Sequence, residues 1–218
     1  MSRILVFGGH GRIALLLAPL LVAHGDEVTA VIRNPAHADE VAATGATPVV
    51  SDVETADAAT LASLIAGHDA VVWSAGAGGG DPRRTYAVDR DAAIRSMEAA
   101  ASAEVRRYVM VSWIGSAADH GVDPESSFFA YADAKWAADA HLAHTDLDWT
   151  ILGPGTLTFD PPTGLIQVDE SGRGSVARAD VAAVIARTLA EPATIGKTIR
   201  FGNGLDGTPA PIAEALRG

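Results

Sequence analysis

Residues 4–14 read Ile-Leu-Val-Phe-Gly-Gly-His-Gly-Arg-Ile-Ala and constrain this chain more than any other stretch. An apolar run stops at a glycine cluster, and a helix-compatible run follows at once. That succession is a buried strand, a tight turn and a helix N-terminus, the geometry that receives a dinucleotide pyrophosphate. Gly8 can take turn dihedrals closed to other residues, and Gly11 lets the backbone come close to phosphate. Small Ala14 lets helix and strand pack tightly, while Gly9, His10, Arg12 and Ile13 complete the set of candidate contacts. The spacing is G-x-x-G-x-x-A rather than G-x-G-x-x-G, and a glycine-rich turn that holds no ligand is the competing explanation.

Short β-rich runs alternate with alanine-rich stretches along the remaining sequence. The pattern predicts strands near 3–7, 27–32, 47–50, 69–73, 106–112, 148–152 and 198–201. Helices are predicted near 11–24, 57–66, 84–102, 128–145, 179–190 and 210–216. Strands that read as unbroken apolar runs, separated by helices of this length, imply right-handed crossovers and a parallel sheet covered on both faces. The expected class is therefore α/β, a Rossmann-type doubly wound parallel sheet, in one domain over residues 1–218. Segments 74–83, 113–127 and 153–178 are the longest irregular ones and begin at strand C-termini, where open α/β sheets bind ligands. Segments 113–127 and 153–178 are expected to form the substrate side, the latter as a small C-terminal cap.

With 218 residues, 48% hydrophobic and 20% charged, the chain can bury a sizeable core. Its net charge of −11 is spread along the sequence, which argues against a nucleic-acid or anionic-membrane surface. The absence of cysteine removes disulfides, thiol catalysis and thiolate metal sites together. The N-terminal apolar run is too short for a signal segment, and Pro19 interrupts Leu15–Leu21, so a cytoplasmic address is expected. His141 and His144 lie three apart near Asp139 and Asp146, but no further ligand set accompanies them and no metal is expected.

Cofactor type is argued from the end of the second predicted strand, where an NAD site usually carries Asp or Glu. Here the strand runs into Arg33-Asn34-Pro35, and Arg12 in the glycine turn is placed to reach the same ribose phosphate. Two guanidiniums on one dianion favour NADP, with NAD possible; two solvated surface arginines are the alternative. Asp52 and Val53 follow the third strand beside the expected adenine, and Ala75 and Gly76 let backbone pass the cofactor. Tyr131 and Lys135 are spaced by one helical turn in a chain that has only two lysines. On one helix face the ammonium is expected to lower the phenol pKa, so that Tyr131 exchanges a proton with a substrate oxygen. Ser112, at the end of the fifth strand, is the candidate for polarising that oxygen.

Taken in order, these motifs resemble an atypical short-chain dehydrogenase/reductase, of the compact NAD(P)H-binding group similar to flavin/biliverdin reductases and NmrA-like proteins. The matching segments run from Gly8–Ala14 through Val31–Pro35, Ser51–Val53, Val88–Ile94 and Arg107–Ser112. They continue through Tyr131–Lys135, Asp148–Ile151, Pro154-Gly155 and Ala177–Ala182, and so span essentially the whole chain. The resemblance implies a Rossmann fold with a nicotinamide cofactor, and places Pro154 and Gly155 beside the carboxamide. Two positions depart from the family pattern: Trp113 replaces the usual small polar residue, and Gly153 the arginine common before Pro-Gly. Trp113 is read either as a wall of the substrate pocket or as a core aromatic.

The expectation is thus an NADP-dependent oxidoreductase acting on a small carbonyl or conjugated ring, a monomer or small homo-oligomer whose partner is a small-molecule substrate. A cofactor-binding redox sensor without catalysis, similar to NmrA-like proteins, is the alternative from another class. A sugar-nucleotide epimerase-like enzyme ranks last, because the C-terminal portion leaves little room for a nucleotide sugar.

Overall fold

Apolar runs and alanine-rich stretches become strands and helices in strict alternation over most of the chain. The computed structural model describes residues 1–168, 174–203 and 209–217. Its first half holds β1 (Arg3–Phe7), α1 (Ala14–His24), β2 (Glu27–Ile32), α2 (Ala38–Ala42), β3 (Thr47–Val50), α3 (Ala58–Ile65) and β4 (Ala70–Trp73). The middle holds α4 (Pro82–Thr85), a π-helical segment at Tyr86–Ala92, α5 (Ala93–Ser102), β5 (Arg107–Val111), α6 (Phe129–Ala143) and β6 (Asp148–Pro154). The last part holds β7 (Thr156–Thr158), β8 (Leu165–Val168), β9 (Ser175–Ala177), α7 (Arg178–Leu189), β10 (Lys197–Gly202), β11 (Ala210–Pro211) and α8 (Ile212–Ala215).

The main sheet has the order β11-β8-β10-β6-β5-β4-β1-β2-β3, and its central strands pair in parallel. The run β3-β2-β1-β4-β5-β6 is the doubly wound Rossmann order, with a switch point where β1 passes to β4. Successive side chains of a strand face opposite sides. Ile4 and Val6 accordingly join one core with Leu17, Leu21, Val184 and Ile185. Leu5 and Phe7 join another with Leu61, Ile65, Met97 and Leu142. The sheet thereby lies between α1 and α7 on one face and α3, α5 and α6 on the other, both faces dry.

Three expectations are corrected. The first helix starts at Ala14 rather than residue 11, because the chain spends residues 8–13 on the turn. There Gly8 sits at φ +79° and accepts the Gly11 amide at 2.8 Å. The predicted helix 84–102 is divided into α4, the π segment and α5. The doubly wound parallel core is the one expected, but segment 153–178, read as irregular from the sequence, contains strands. In that segment β7 pairs with β9, whereas β8 joins the main sheet antiparallel to β10 and β11. Such an antiparallel edge on a parallel core is common in this class.

Candidate active site

The C-terminal ends of β1, β2, β3 and β4 enclose a cavity of about 380 Å³. Gly8, His10, Gly11, Arg33, Asp52, Val53, Ala75 and Gly76, all candidate cofactor contacts in the sequence, line it. Asn34, Ser51, Ser74, Arg84 and Val88 line it as well. A Cβ on Gly8 would stand 2.7 Å from Ala75 Cα, so this position is closed to side chains on space as well as on φ. Gly9 serves packing instead: its Cβ would lie 2.6 Å from Ala30 Cβ, and its amide donates to Val31 O at 2.8 Å. The turn is thereby fastened to β2; in the first turn of α1 the Leu15 amide donates to Gly11 O and the Leu16 and Leu17 amides to Ile13 O, so the backbone that enters the helix at Arg12–Ala14 is the stretch left to meet an anion. His10 stacks on His37 with ring centroids 3.6 Å apart and meets Glu40 at 2.7 Å.

Arg33 and Arg12 do not converge. Arg33 lines the cavity, whereas the Arg12 guanidinium lies 4.9 Å from the Phe159 ring centroid and lines a separate cavity. Ile13 is buried in the core. Pro154 and Gly155 stand outside the cavity lining at the end of β6; Pro154 O accepts Ile114 N at 2.9 Å, and Gly155 N donates to Phe201 O at 2.9 Å. Gly155 is glycine for space, since a Cβ there would lie 2.5 Å from Gly174 O.

Tyr131, Lys135 and Asp139 repeat every four residues along α6 and therefore share one face. Lys135, only 1% exposed, donates to Val111 O at 2.7 Å. Asp139 is 5% exposed, and one of its oxygens takes both the Ser112 hydroxyl and the Ser116 hydroxyl, the latter at 2.6 Å. Its other oxygen is buried without a hydrogen-bond partner among the described residues. Burial pushes the Asp139 carboxyl up, against the pull of Lys135, the two seryl hydroxyls and Arg200. Asp89, also buried, accepts the Ala77 amide at 2.9 Å, and burial raises it against Lys135, that amide and Arg84.

These two carboxylates reverse one expectation. Burial, then Asp89 and Asp139, push the Tyr131 phenol up, where the sequence led us to expect Lys135 to lower it. Ser112 differs from expectation too: its only proton is committed to Asp139. Trp113 is half-buried and meets Phe128 edge-on at 5.1 Å, and Phe128 in turn meets Tyr131 at 5.0 Å. Gly115 makes room for that indole, since a Cβ there would fall 2.2 Å from it. At Gly153 a Cβ would meet the Arg200 stem at 3.3 Å, and Arg200 is the residue paired with Gly153 across β6 and β10. The Arg200 guanidinium, from the neighbouring strand, donates to Ser116 O at 2.9 Å.

Sequence reasoning gave Asp89, Ser116 and Arg200 no role, and weighed Asp139 only as a metal-site neighbour of His141 and His144. A signal existed for Asp139 in its place four residues after Lys135. Among the described residues no group of three or more His, Asp or Glu side chains is placed to hold a metal ion.

The sheet order, the switch point and the glycine turn beneath the cavity define a dinucleotide-binding Rossmann protein. The NAD(P)H-binding family profile matches residues 8–192, and the chain belongs to that family. It is 31% identical over 218 residues to a Bacillus subtilis protein called uncharacterized sugar epimerase YhfK, with 99% of each chain covered. A Bacillus halodurans structure described as an NAD-dependent epimerase/dehydratase superposes with a TM-score of 0.90 at 32% identity, covering 99% of both chains. ChuY of Escherichia coli O157:H7, described as an anaerobillin reductase, superposes at 0.77 with 26% identity, covering 96% of this chain and 100% of that one. Among the described residues no helix is long and apolar enough to cross a membrane.

Proposed function

We propose that the chain forms one NAD(P)-binding unit over residues 1–218 and works as an NADP-dependent oxidoreductase on a small carbonyl or conjugated ring. One observation carries the reading: Tyr131, Lys135 and Asp139 line one face of α6, and Asp139 reaches the Ser112 hydroxyl at the end of β5. That edge of the sheet is where doubly wound folds do their chemistry. Bound in the cavity, the dinucleotide would supply the hydride. Gly8, Gly11 and the backbone that enters α1 at Arg12–Ala14 would hold its diphosphate, with Asp52 and Val53 at the adenine end.

Arg33 alone carries the preference for the extra phosphate of NADP, since Arg12 turns to Phe159. Tyr131 delivers a proton to the substrate oxygen, and its raised pKa keeps it in the protonated, donating form at neutral pH. Lys135 supports that face by neutralising the two carboxylates beside it. Ser112 accepts rather than donates while its proton lies on Asp139, and donates to substrate once Asp139 is protonated. Segments 113–127 and 153–178 form the substrate side in this reading, with Trp113 as a wall; residues 169–173 fall outside the described ones.

The test is steady-state NADPH oxidation over a panel of aldehydes, ketones, quinones and flavins. Turnover with at least one class supports the reading. Tight NADPH binding with no turnover across the panel moves it to a redox sensor. The engagement of the buried Lys135 ammonium by the Val111 carbonyl favours that second reading.

A further inference from the structure

Beyond the cofactor cavity, Phe159 stands 75% exposed between two guanidiniums, Arg12 at 4.9 Å and Arg178 at 4.1 Å from its ring centroid. Arg178 is fixed there by donating to the carbonyls of Leu157 at 3.2 Å and Thr158 at 2.9 Å. Among the described residues no carboxylate lies within ion-pair distance of either arginine, although the chain carries a net charge of −11. Two like charges are thus held against one exposed phenyl ring with no anionic side chain among the described residues in ion-pair contact with them. They border a cavity of about 390 Å³ whose remaining wall is formed by Leu15, Leu16, Thr158 and Ala179, with Asp160 as the one acid among the described residues lining it. Arg12, on the wall of this cavity, follows Gly11, on the wall of the cofactor cavity, in the same turn.

We propose that Arg12, Phe159 and Arg178 form a subsite for the oxyanion of an apolar or aromatic acid, with the acid group on the guanidiniums and its body along Leu15 and Leu16. Guanidinium planes pair with carboxylates through parallel N–H donors and also stack on aromatic faces, so one pair of side chains serves both parts of such a ligand. The cofactor's own diphosphate offers the same oxyanion chemistry, but it has no apolar body to fill the leucine-lined part. That the acid is a substrate rests on the oxidoreductase reading; that the subsite binds acids does not.

The full chain is titrated calorimetrically with 2-naphthoate and with 2-naphthamide, which share a body and differ in charge, each with and without saturating NADPH. The expected result is naphthoate bound at least about tenfold tighter than the amide, as one charge-assisted bidentate contact would give. Arg178→Gln and, independently, the exposed Arg12→Gln each erase that preference, and Arg178→Gln leaves the NADPH Kd within about twofold. No preference in the wild type overturns the proposal, as does a preference that survives both substitutions. An Arg178→Gln variant that weakens NADPH and NADH equally, with no naphthoate preference in the parent, assigns the guanidiniums to the diphosphate and overturns it too. Failure of every substrate to oxidise NADPH alongside intact naphthoate selectivity strikes the oxidoreductase reading alone.

Discussion

The Lys135 ammonium donates to the Val111 carbonyl at 2.7 Å, one helical turn from Tyr131 on the same face of α6. Its charge thus lies beneath the site, where it balances Asp89 and Asp139. Tyr131→Phe is expected to lower kcat by about 10²–10⁴-fold, the usual worth of a positioned proton donor, with the NADPH Kd unchanged. Lys135→Met is expected to destabilise the fold by about 3–5 kcal/mol, because it strands two buried carboxylates. Kinetics on the first variant and denaturant unfolding of the second separate these two roles.

Asp139 and Asp89 give the fold a definite pH dependence. Both are raised in the folded state, so between the ordinary carboxylate pKa and their folded values the native chain holds more protons than the unfolded one. Stability contributed by the neutral forms is complete below the ordinary value and declines as pH rises through that window, by at most about 1.4 kcal/mol per unit for each group. Asp139→Asn keeps an oxygen for Ser112 and Ser116 and is expected to flatten part of that decline. Urea unfolding of both proteins across the acidic range reads the difference, and identical profiles would contradict the assignment.

Arg33→Ala is expected to weaken NADPH by roughly tenfold to a hundredfold and NADH by less than about twofold, since only NADPH carries the extra phosphate. Arg12→Ala is expected to leave the ratio of the two affinities unchanged, because its guanidinium rests on Phe159. Fluorescence titration of each variant with both nucleotides is sufficient, and equal losses for Arg33→Ala would refute the NADP preference.

Gly9→Ala tests a contact that the glycine motif conceals. The new methyl would meet Ala30 Cβ at 2.6 Å, an overpacking expected to cost about 1–3 kcal/mol and to lower the melting temperature by roughly 2–4 °C for each kcal/mol. Adding Ala30→Gly should restore much of the loss, as a coupled pair does and independent sites do not.

The sheet core was legible because each of its strands is a short apolar run with a helix to its C-terminal side. The 27–32 and 47–50 predictions coincide with β2 and β3. β7, β8, β9 and β11 escaped detection: Thr156–Thr158 and Ser175–Ala177 are too short to show a period, and they exist by virtue of pairing with distant chain. At the site, residues tied to a turn or a strand end could be placed on one cavity wall, as Gly8 and Arg33 show. Side-chain direction could not, which is why Arg12 leaves the cofactor cavity and the Ser112 proton turns inward to Asp139. The phenol pKa failed for a related reason, because it is set first by burial and then by Asp89, forty-two positions earlier in the chain than Tyr131.

In the π segment Tyr86–Ala92, consecutive residues Val88 and Asp89 are both buried, and Asp89 grips the Ala77 amide across from Gly76. Wider winding of this kind accommodates one residue more than regular helix would. Excising a single residue there would rewind the stretch and swing Asp89 about 100° around its axis, releasing the loop that follows β4. At this place the chain is held to a spacing rather than to a composition, and a tolerant surface for substitutions would be an intolerant one for indels.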